Sequence, residues 1–94
     1  MSRATVRIPT PLRAFTGGAG QVEVEGRTVG QALDALGDLH SGILERVLDA
    51  DGGVRGFVNI YVGESNVISL GGLGAELPDS SVISIVPAVA GGLR

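Results

Sequence analysis

Polar and apolar residues alternate in several short stretches of this chain, and that pattern predicts β-strands. Residues 5–8 and 21–25 each place aliphatic side chains on one face and polar or charged side chains on the other, as the two strands of a hairpin do. Residues 57–62 give the strongest strand signal, because they combine alternation with β-branched and aromatic side chains. Residues 67–69 predict a short fourth strand, and residues 82–86 predict the last one.

Between the second and third strands the apolar spacing changes to that of a helix. Thr28 and Gln31 fit a capping box, which predicts the start of the helix. Gly42 predicts its end, and residues 43–48 read as a second, short helical turn. The helix carries an apolar stripe at the spacing i, i+3, i+4 and i+7, formed by Val29, Ala32, Leu33 and Leu36.

The order of these elements is strand, strand, helix, strand, short strand, strand, which is that of the β-grasp, or ubiquitin-like, fold. The predicted class is α+β, with a mixed sheet of about five strands curled over one main helix. In such a sheet the last strand lies in the middle beside the first, with Ile83 and Ile85 facing the helix. The opposite, open face is a candidate partner surface, and its expected members are Phe57, Asn59, Tyr61, Val82, Ser84 and Val86.

Proline has no backbone N–H to give to a sheet, so strand pairing is expected to stop before Pro87. Residues 1–86 are therefore predicted to form a single domain, and residues 87–94 a flexible, extended C-terminal tail. The tail reads Pro87, Ala88, Val89, Ala90, Gly91, Gly92, Leu93, Arg94.

Composition removes several classes of function. The chain has 94 residues and no cysteine, which excludes disulfides, thiolate metal sites and thiol nucleophiles. The net charge is −3 and no basic run is present, so nucleic acid is not an expected partner. The sequence shows neither a signal peptide nor a stretch able to cross a membrane, and a cytoplasmic protein is expected. Lysine is absent, and all seven basic residues are arginine.

Ordinary catalytic and metal-binding patterns are also missing. His40 is the single histidine and has no evident partner, so we interpret it as a solvated residue near a helix end. Asp49, Asp51 and Gly52 resemble the start of a calcium loop, but the other ligands of that loop are absent, which leaves a turn. We therefore expect no metal site in this chain and no enzymatic activity of its own.

The Gly91-Gly92 pair is informative through its position. The chain has 16 glycines and four adjacent pairs, so a Gly-Gly pair by itself says little. This one ends a tail that leaves the central strand of a sheet, in a chain with no other reactive group.

Three segments of the chain carry a family resemblance. Residues 8–13 with residues 16–18 match a first loop, residues 57–62 a third strand, and residues 81–92 a C-terminal strand that runs through proline into Gly-Gly. On these segments the chain resembles the ThiS/MoaD family of ubiquitin-like sulfur carriers, and within it the CysO branch, which serves cysteine biosynthesis.

The resemblance implies a function for Gly92. An E1-like adenylating and sulfurtransferase enzyme would activate its carboxylate with ATP and convert it to a thiocarboxylate. A pyridoxal-phosphate enzyme similar to a cysteine synthase would accept the sulfur. Residues 87–91 would lie in the channels of these enzymes, and this chain would bind no cofactor itself.

Leu93 and Arg94 depart from the family pattern, in which Gly-Gly ends the working chain. The resemblance implies removal by a zinc metalloprotease, although two residues left over from cloning would look the same. Thiamin, molybdopterin or a sulfur-containing natural product are alternative destinations for the sulfur. A ubiquitin-like protein modifier and a plain β-grasp binding module are alternative classes of function.

Overall fold

The computed structural model describes residues 3–56 and 58–87. Over these residues the chain forms one five-stranded sheet with the strand order β2-β1-β5-β3-β4. The strands are β1 (Arg3–Arg7), β2 (Gln21–Glu25), β3 (Val58–Val62), β4 (Ser65–Asn66) and β5 (Ser81–Pro87). Two α-helices, α1 (Val29–Leu39) and α2 (Leu44–Val47), lie between β2 and β3. The predicted β-grasp fold is confirmed.

The last strand lies in the middle of the sheet, as the sequence predicts. It runs parallel to β1, with Val6 opposite Ile83, and antiparallel to β3, with Ile60 opposite Ile85. Strand β5 therefore joins β1 to β3, with residues 81–84 paired to β1 and residues 83–87 paired to β3. The first and last strands of the chain become neighbours, which closes the fold.

The core lies between the sheet and α1. Ile83 and Ile85 are buried on the helix side of β5, as expected from the alternation. The apolar stripe of α1 meets them there, with Val29, Ala32, Leu33 and Leu36 all fully buried. Ile43 and Val47, at the start and end of α2, close one end of this core.

Helix α1 begins with a variant of the predicted capping box. The Thr28 hydroxyl oxygen accepts a hydrogen bond from the Gln31 N–H at 3.1 Å. The Gln31 side chain, however, accepts from the N–H of Arg27 at 2.9 Å rather than from that of Thr28. The helix also ends earlier than predicted, because His40 takes an extended backbone conformation and caps it.

The fourth strand differs from the prediction. It consists of Ser65 and Asn66, and residues 67–69 instead belong to a 3-10 helix, Val67–Leu70. The Asn66 side chain accepts a hydrogen bond from the Ile68 N–H at 2.9 Å, which turns the chain out of the sheet. Further 3-10 helices span Thr10–Thr16 and Gly72–Gly74. Of the helices formed by the described residues, none is long and apolar enough to span a membrane.

The close approach of Gly26 to α1 gives a test of this packing. A Cβ added at Gly26 would lie 2.6 Å from the backbone nitrogen of Ala32 and 2.9 Å from the carbonyl carbon of Gln31. Because backbone atoms cannot rotate away, we expect Gly26→Ala to lower the free energy of unfolding by about 1–3 kcal/mol. Urea denaturation measures this. Gly74→Ala is the control, since the described residues place no atom within 4 Å of its added Cβ. Equal stability of the two variants would contradict the packing.

Candidate functional site

The end of β5 is the point from which the predicted tail leaves the sheet. Pro87 is the last residue of β5 and lies opposite Val58, one residue beyond the predicted limit of pairing. The hydrogen-bond phase of the ladder explains this. The Gly63 N–H donates to the Val82 carbonyl at 2.9 Å, so alternation makes Val58 and Pro87 a pair without hydrogen bonds between them. The missing N–H of Pro87 therefore removes no bond to β3.

Several predicted site residues lie outside the described part of the chain. One is Phe57 of the predicted partner surface. The others form the tail after Pro87, namely Ala88, Val89, Ala90, Gly91, Gly92, Leu93 and Arg94. The roles assigned to these residues stay predictions. The division of the chain into residues 1–86 and 87–94 likewise stays a prediction.

The remaining members of the predicted partner surface do share one face of the sheet. Asn59 lies opposite Val86, and Tyr61 lies opposite Ser84. Val82 is on the same face because side chains alternate along β5. Val82 and Val86 are 39 % and 42 % exposed, although each lies next to a buried isoleucine. We call this face of the sheet, away from α1, the open face.

The register extends the open face beyond the residues that the sequence indicated. Ser84 has Tyr61 on one side and Arg7 on the other, and the same row continues to Asn66 on β4 and to Gln21 on β2. Thr5 lies beside Val82 in the next row. The alternation of residues 5–8 and 21–25 was visible in the sequence, but which residues lie opposite β5 depends on long-range pairing.

The open face therefore has a mixed character that suits a protein partner. Two exposed valines on the central strand are flanked by hydroxyl and amide groups on neighbouring strands and by the Arg7 guanidinium. Protein interfaces commonly combine an apolar centre with a polar surround in this way. The role of this face as a partner surface stays a prediction.

The rest of the described chain supplies no catalytic constellation. Within residues 3–56 and 58–87, no group of three histidine, aspartate or glutamate side chains could hold a metal ion. Asp49 forms a turn as predicted, because its Oδ1 accepts from the N–H groups of Asp51 and Gly53, each at 3.0 Å.

A β-grasp domain whose central last strand leads to a Gly-Gly pair defines the class of ubiquitin-like carriers. The model of the ThiS family matches residues 6–92 of the chain. This chain belongs to the ThiS family. The match ends at Gly92 and leaves out Leu93 and Arg94.

Known proteins support the same assignment. The sulfur carrier protein CysO of Mycobacterium tuberculosis is 44 % identical over 90 residues, covering 94 % of this chain and 97 % of that protein. The structure of the Amycolatopsis orientalis BexX/CysO complex contains a chain of 43 % identity that superposes with a TM-score of 0.88, covering 95 % of this chain and 99 % of that one. Small archaeal modifier protein 1 of Methanosarcina acetivorans has 28 % identity and a TM-score of 0.82, with 98 % of each chain covered.

These relatives confirm the predicted class. The chain is a ubiquitin-like sulfur carrier, a substrate for other enzymes rather than an enzyme itself. The resemblance to the CysO branch is confirmed as well.

The open face should be dispensable for folding, which a matched pair of substitutions can test. Val6 on β1 is fully buried, whereas Val82 on β5 is 39 % exposed. Threonine has nearly the shape of valine but adds a hydroxyl. We expect Val6→Thr to cost about 1–3 kcal/mol, because a hydroxyl is buried in the core, and Val82→Thr to cost less than about 0.5 kcal/mol. Urea denaturation gives both values. A loss at Val82 as large as that at Val6 would show that the open face belongs to the core.

Proposed function

We propose that this protein carries sulfur as a thiocarboxylate on Gly92, formed after Leu93 and Arg94 are removed. The central observation is the geometry of β5, which pairs with β1 over residues 81–84 and with β3 over residues 83–87, where it ends at Pro87. A chain that leaves such a strand starts from a fixed point. Residues 87–92, when extended, have a reach of roughly 20 Å. That length suits delivery of a chain end into a buried active site.

The chemistry of the carrier is that of a carboxylate which other proteins activate. A carboxylate is a poor electrophile until one of its oxygens becomes part of a good leaving group. In the proposed reaction a Gly92 oxygen attacks the α-phosphorus of ATP and releases pyrophosphate, which gives an acyl-adenylate on an E1-like enzyme. Hydrosulfide from the sulfur source then attacks the carbonyl carbon and expels AMP, and loss of the S–H proton leaves the thiocarboxylate. The proposal locates the carrier in the cytoplasm, where ATP is available.

Glycine at the chain end suits this reaction for a steric reason. The two residues before the reacting carbon must lie close to the atoms of the activating enzyme, and a glycine leaves room for the backbone where a Cβ would collide. Gly91 and Gly92 therefore let the tail enter a narrow channel. The preceding residues, Ala88, Val89 and Ala90, are small enough to follow.

The destination that we favour for the sulfur is cysteine. Support comes from the 44 % identity to proteins named CysO. The acceptor enzyme would be similar to a pyridoxal-phosphate cysteine synthase, and a zinc metalloprotease would remove Leu93 and Arg94. The BexX/CysO complex contains a CysO bound to a protein named BexX. Thiamin, molybdopterin or a sulfur-containing natural product are the alternative destinations.

A protein modifier is the second candidate function. The observation that favours it is the likeness to a small archaeal modifier protein. The two functions share the activation of a C-terminal carboxylate and differ in the nucleophile that receives the acyl group. This chain contains no lysine, so it offers no side-chain amine for chains linked to itself.

The mass of the activated protein tests the proposed function. The chain ending at Gly92 is incubated with the E1-like enzyme, ATP and a sulfur source, and its intact mass is recorded. We expect one oxygen to be replaced by one sulfur. The chain ending at Arg94 is the matched control and should keep its mass, because its glycine carboxylate is part of a peptide bond.

Three other outcomes would contradict parts of this account. Failure of the chain ending at Gly92 to form even an adenylate would overturn both activation functions. Sulfur transfer to the chain ending at Arg94 would overturn the role of Gly92. Heavier adducts on cellular proteins, with no thiocarboxylate, would favour the modifier.

The open face should determine how tightly the activating enzyme holds the carrier. Val86 is exposed on that face, and a carboxylate there would lose its solvation in the complex. We expect Val86→Asp to raise the KM for the carrier about tenfold or more, with little change in kcat, since the tail chemistry is unaltered. Pyrophosphate exchange in the presence of ATP measures both constants. Ile68→Asp is the control, because Ile68 is 76 % exposed and lies outside the open face. Equal effects of the two substitutions would rule out the open face as the docking surface.

A further inference from the structure

Strand β2 is an edge of the sheet, and the phase of its hydrogen bonds shows which of its residues face outward. The Ile8 N–H donates to the Gly20 carbonyl at 2.8 Å, so this pair belongs to the hydrogen-bonded set of the β1–β2 ladder. Hydrogen-bonded and non-bonded pairs alternate in an antiparallel ladder. Val22 and Val24 are therefore bonded to β1. Gln21, Glu23 and Glu25 direct their N–H and C=O groups away from β1, towards the free edge.

A groove runs along this edge between β2 and α1. Its volume is about 580 Å³. Val24 lies at its base, and Leu39 of α1, which is 60 % exposed, lines it from the other side. Asp38 of α1 provides negative charge on the helix side of the groove, where Arg3 is the one basic residue of the lining. Glu23 and Glu25 line the groove along β2, and their side chains alternate with Val24 and lie towards the open face. A row of backbone hydrogen-bonding groups therefore lies beside an apolar strip with acidic margins.

We propose that this edge binds an extended segment of another polypeptide in which basic and aliphatic residues alternate. The segment would add to the sheet as a sixth strand and bond to the outward N–H and C=O groups of Glu23 and Glu25. Its aliphatic side chains would lie opposite Val24, over the groove. Its basic side chains would lie on the other face, beside the two glutamates, because residues directly opposite in a sheet share a face.

Charge selects this partner over a second copy of the chain. If two β2 strands paired across a symmetry axis, their Glu23 and Glu25 side chains would face one another, and like charges directly opposite are destabilising. Charged residues on an edge strand are a common protection against such self-association. The same residues stabilise a strand of opposite charge.

The edge site is separate from the site of the sulfur chemistry. Strand β1 lies between β2 and β5, and the groove is on the helix side of the sheet, whereas Val82 and Val86 are on the open face. A partner bound at the edge would leave the end of β5 free. Its basic side chains, beside Glu23 and Glu25, would reach the margin of the open face at β2, with β1 between them and Val82. The carrier could then be held by one protein while another acts on its tail.

A peptide of alternating arginine and valine, six residues long and capped at both ends, is the probe. Its binding to the full chain is followed by fluorescence anisotropy of a label on the peptide. We expect saturable binding, and weaker binding by a peptide of the same composition with its three valines and three arginines in separate blocks. A peptide N-methylated at its three arginines should not bind. These residues would lie opposite Glu23 and Glu25, and methylation removes the N–H groups that they would donate to β2.

Amide hydrogen exchange locates the bound peptide. The N–H groups of Glu23 and Glu25 should exchange more slowly in the complex, because they gain partners. Those of Val22 and Val24 should change less, because they are bonded to β1 already.

Charge reversal tests the selectivity of the edge. The double variant Glu23→Arg, Glu25→Arg should bind the peptide about tenfold more weakly, since two favourable cross-strand pairs become unfavourable. The double variant Glu45→Arg, Glu64→Arg makes the same change of charge at exposed positions elsewhere and should bind nearly as well as the parent. Equal losses in the two variants, equal binding of the block peptide, or no binding at all would each overturn the proposal.

Discussion

The pairing of β5 between β1 and β3 is the constraint on which the rest of this structure depends. It joins the first and last strands of the chain in parallel, and it buries Ile83 and Ile85 against the stripe of α1. Strand β5 pairs with β1 over residues 81–84 and with β3 over residues 83–87, so it cannot move without breaking two ladders. Its last three residues, which lead to the tail, are held by β3. Strand β5 also turns Val82 and Val86 to the open face. Side-chain alternation in one strand thereby serves the core and the docking surface together.

This arrangement explains how a protein without catalytic groups can take part in catalysis. The chain has no cysteine, and its described residues hold no cluster of metal ligands. In the proposed function it supplies position, through a docking face on the sheet, a central strand and a glycine end on which partner enzymes act. In that function the reactivity belongs to whichever enzyme is docked. The proposed binding edge at β2 is a second surface, separated from β5 by β1.

Much of the fold could be predicted, because it depends on local periodicity. The alternation of residues 21–25 gave β2 with its observed bounds, and the stripe from Val29 to Leu36 gave α1. The errors occurred where local hydrogen bonds override a short pattern. Asn66 caps a 3-10 helix, so residues 67–69 form that helix rather than the predicted strand. His40 ends α1 before Gly42. Arg7 and Gln21 were missed on the open face because strand register is a long-range property. Pro87 joined β5 because its pair with Val58 needs no bond from its nitrogen.

The location of sulfur in the activated protein tests the central claim most directly. After the chain ending at Gly92 has been treated with the activating enzyme, ATP and a sulfur source, cleavage on the carboxyl side of arginine releases residues 56–92 as one fragment, because no lysine or arginine lies between Arg55 and Gly92. Tandem mass spectrometry of this fragment then identifies the residue that carries the sulfur. The account predicts a thiocarboxylate at Gly92 and an unmodified stretch before it. Sulfur on any other residue would contradict it. A plain carboxylate at Gly92 would also contradict it, provided that the same enzyme preparation adds sulfur to another carrier.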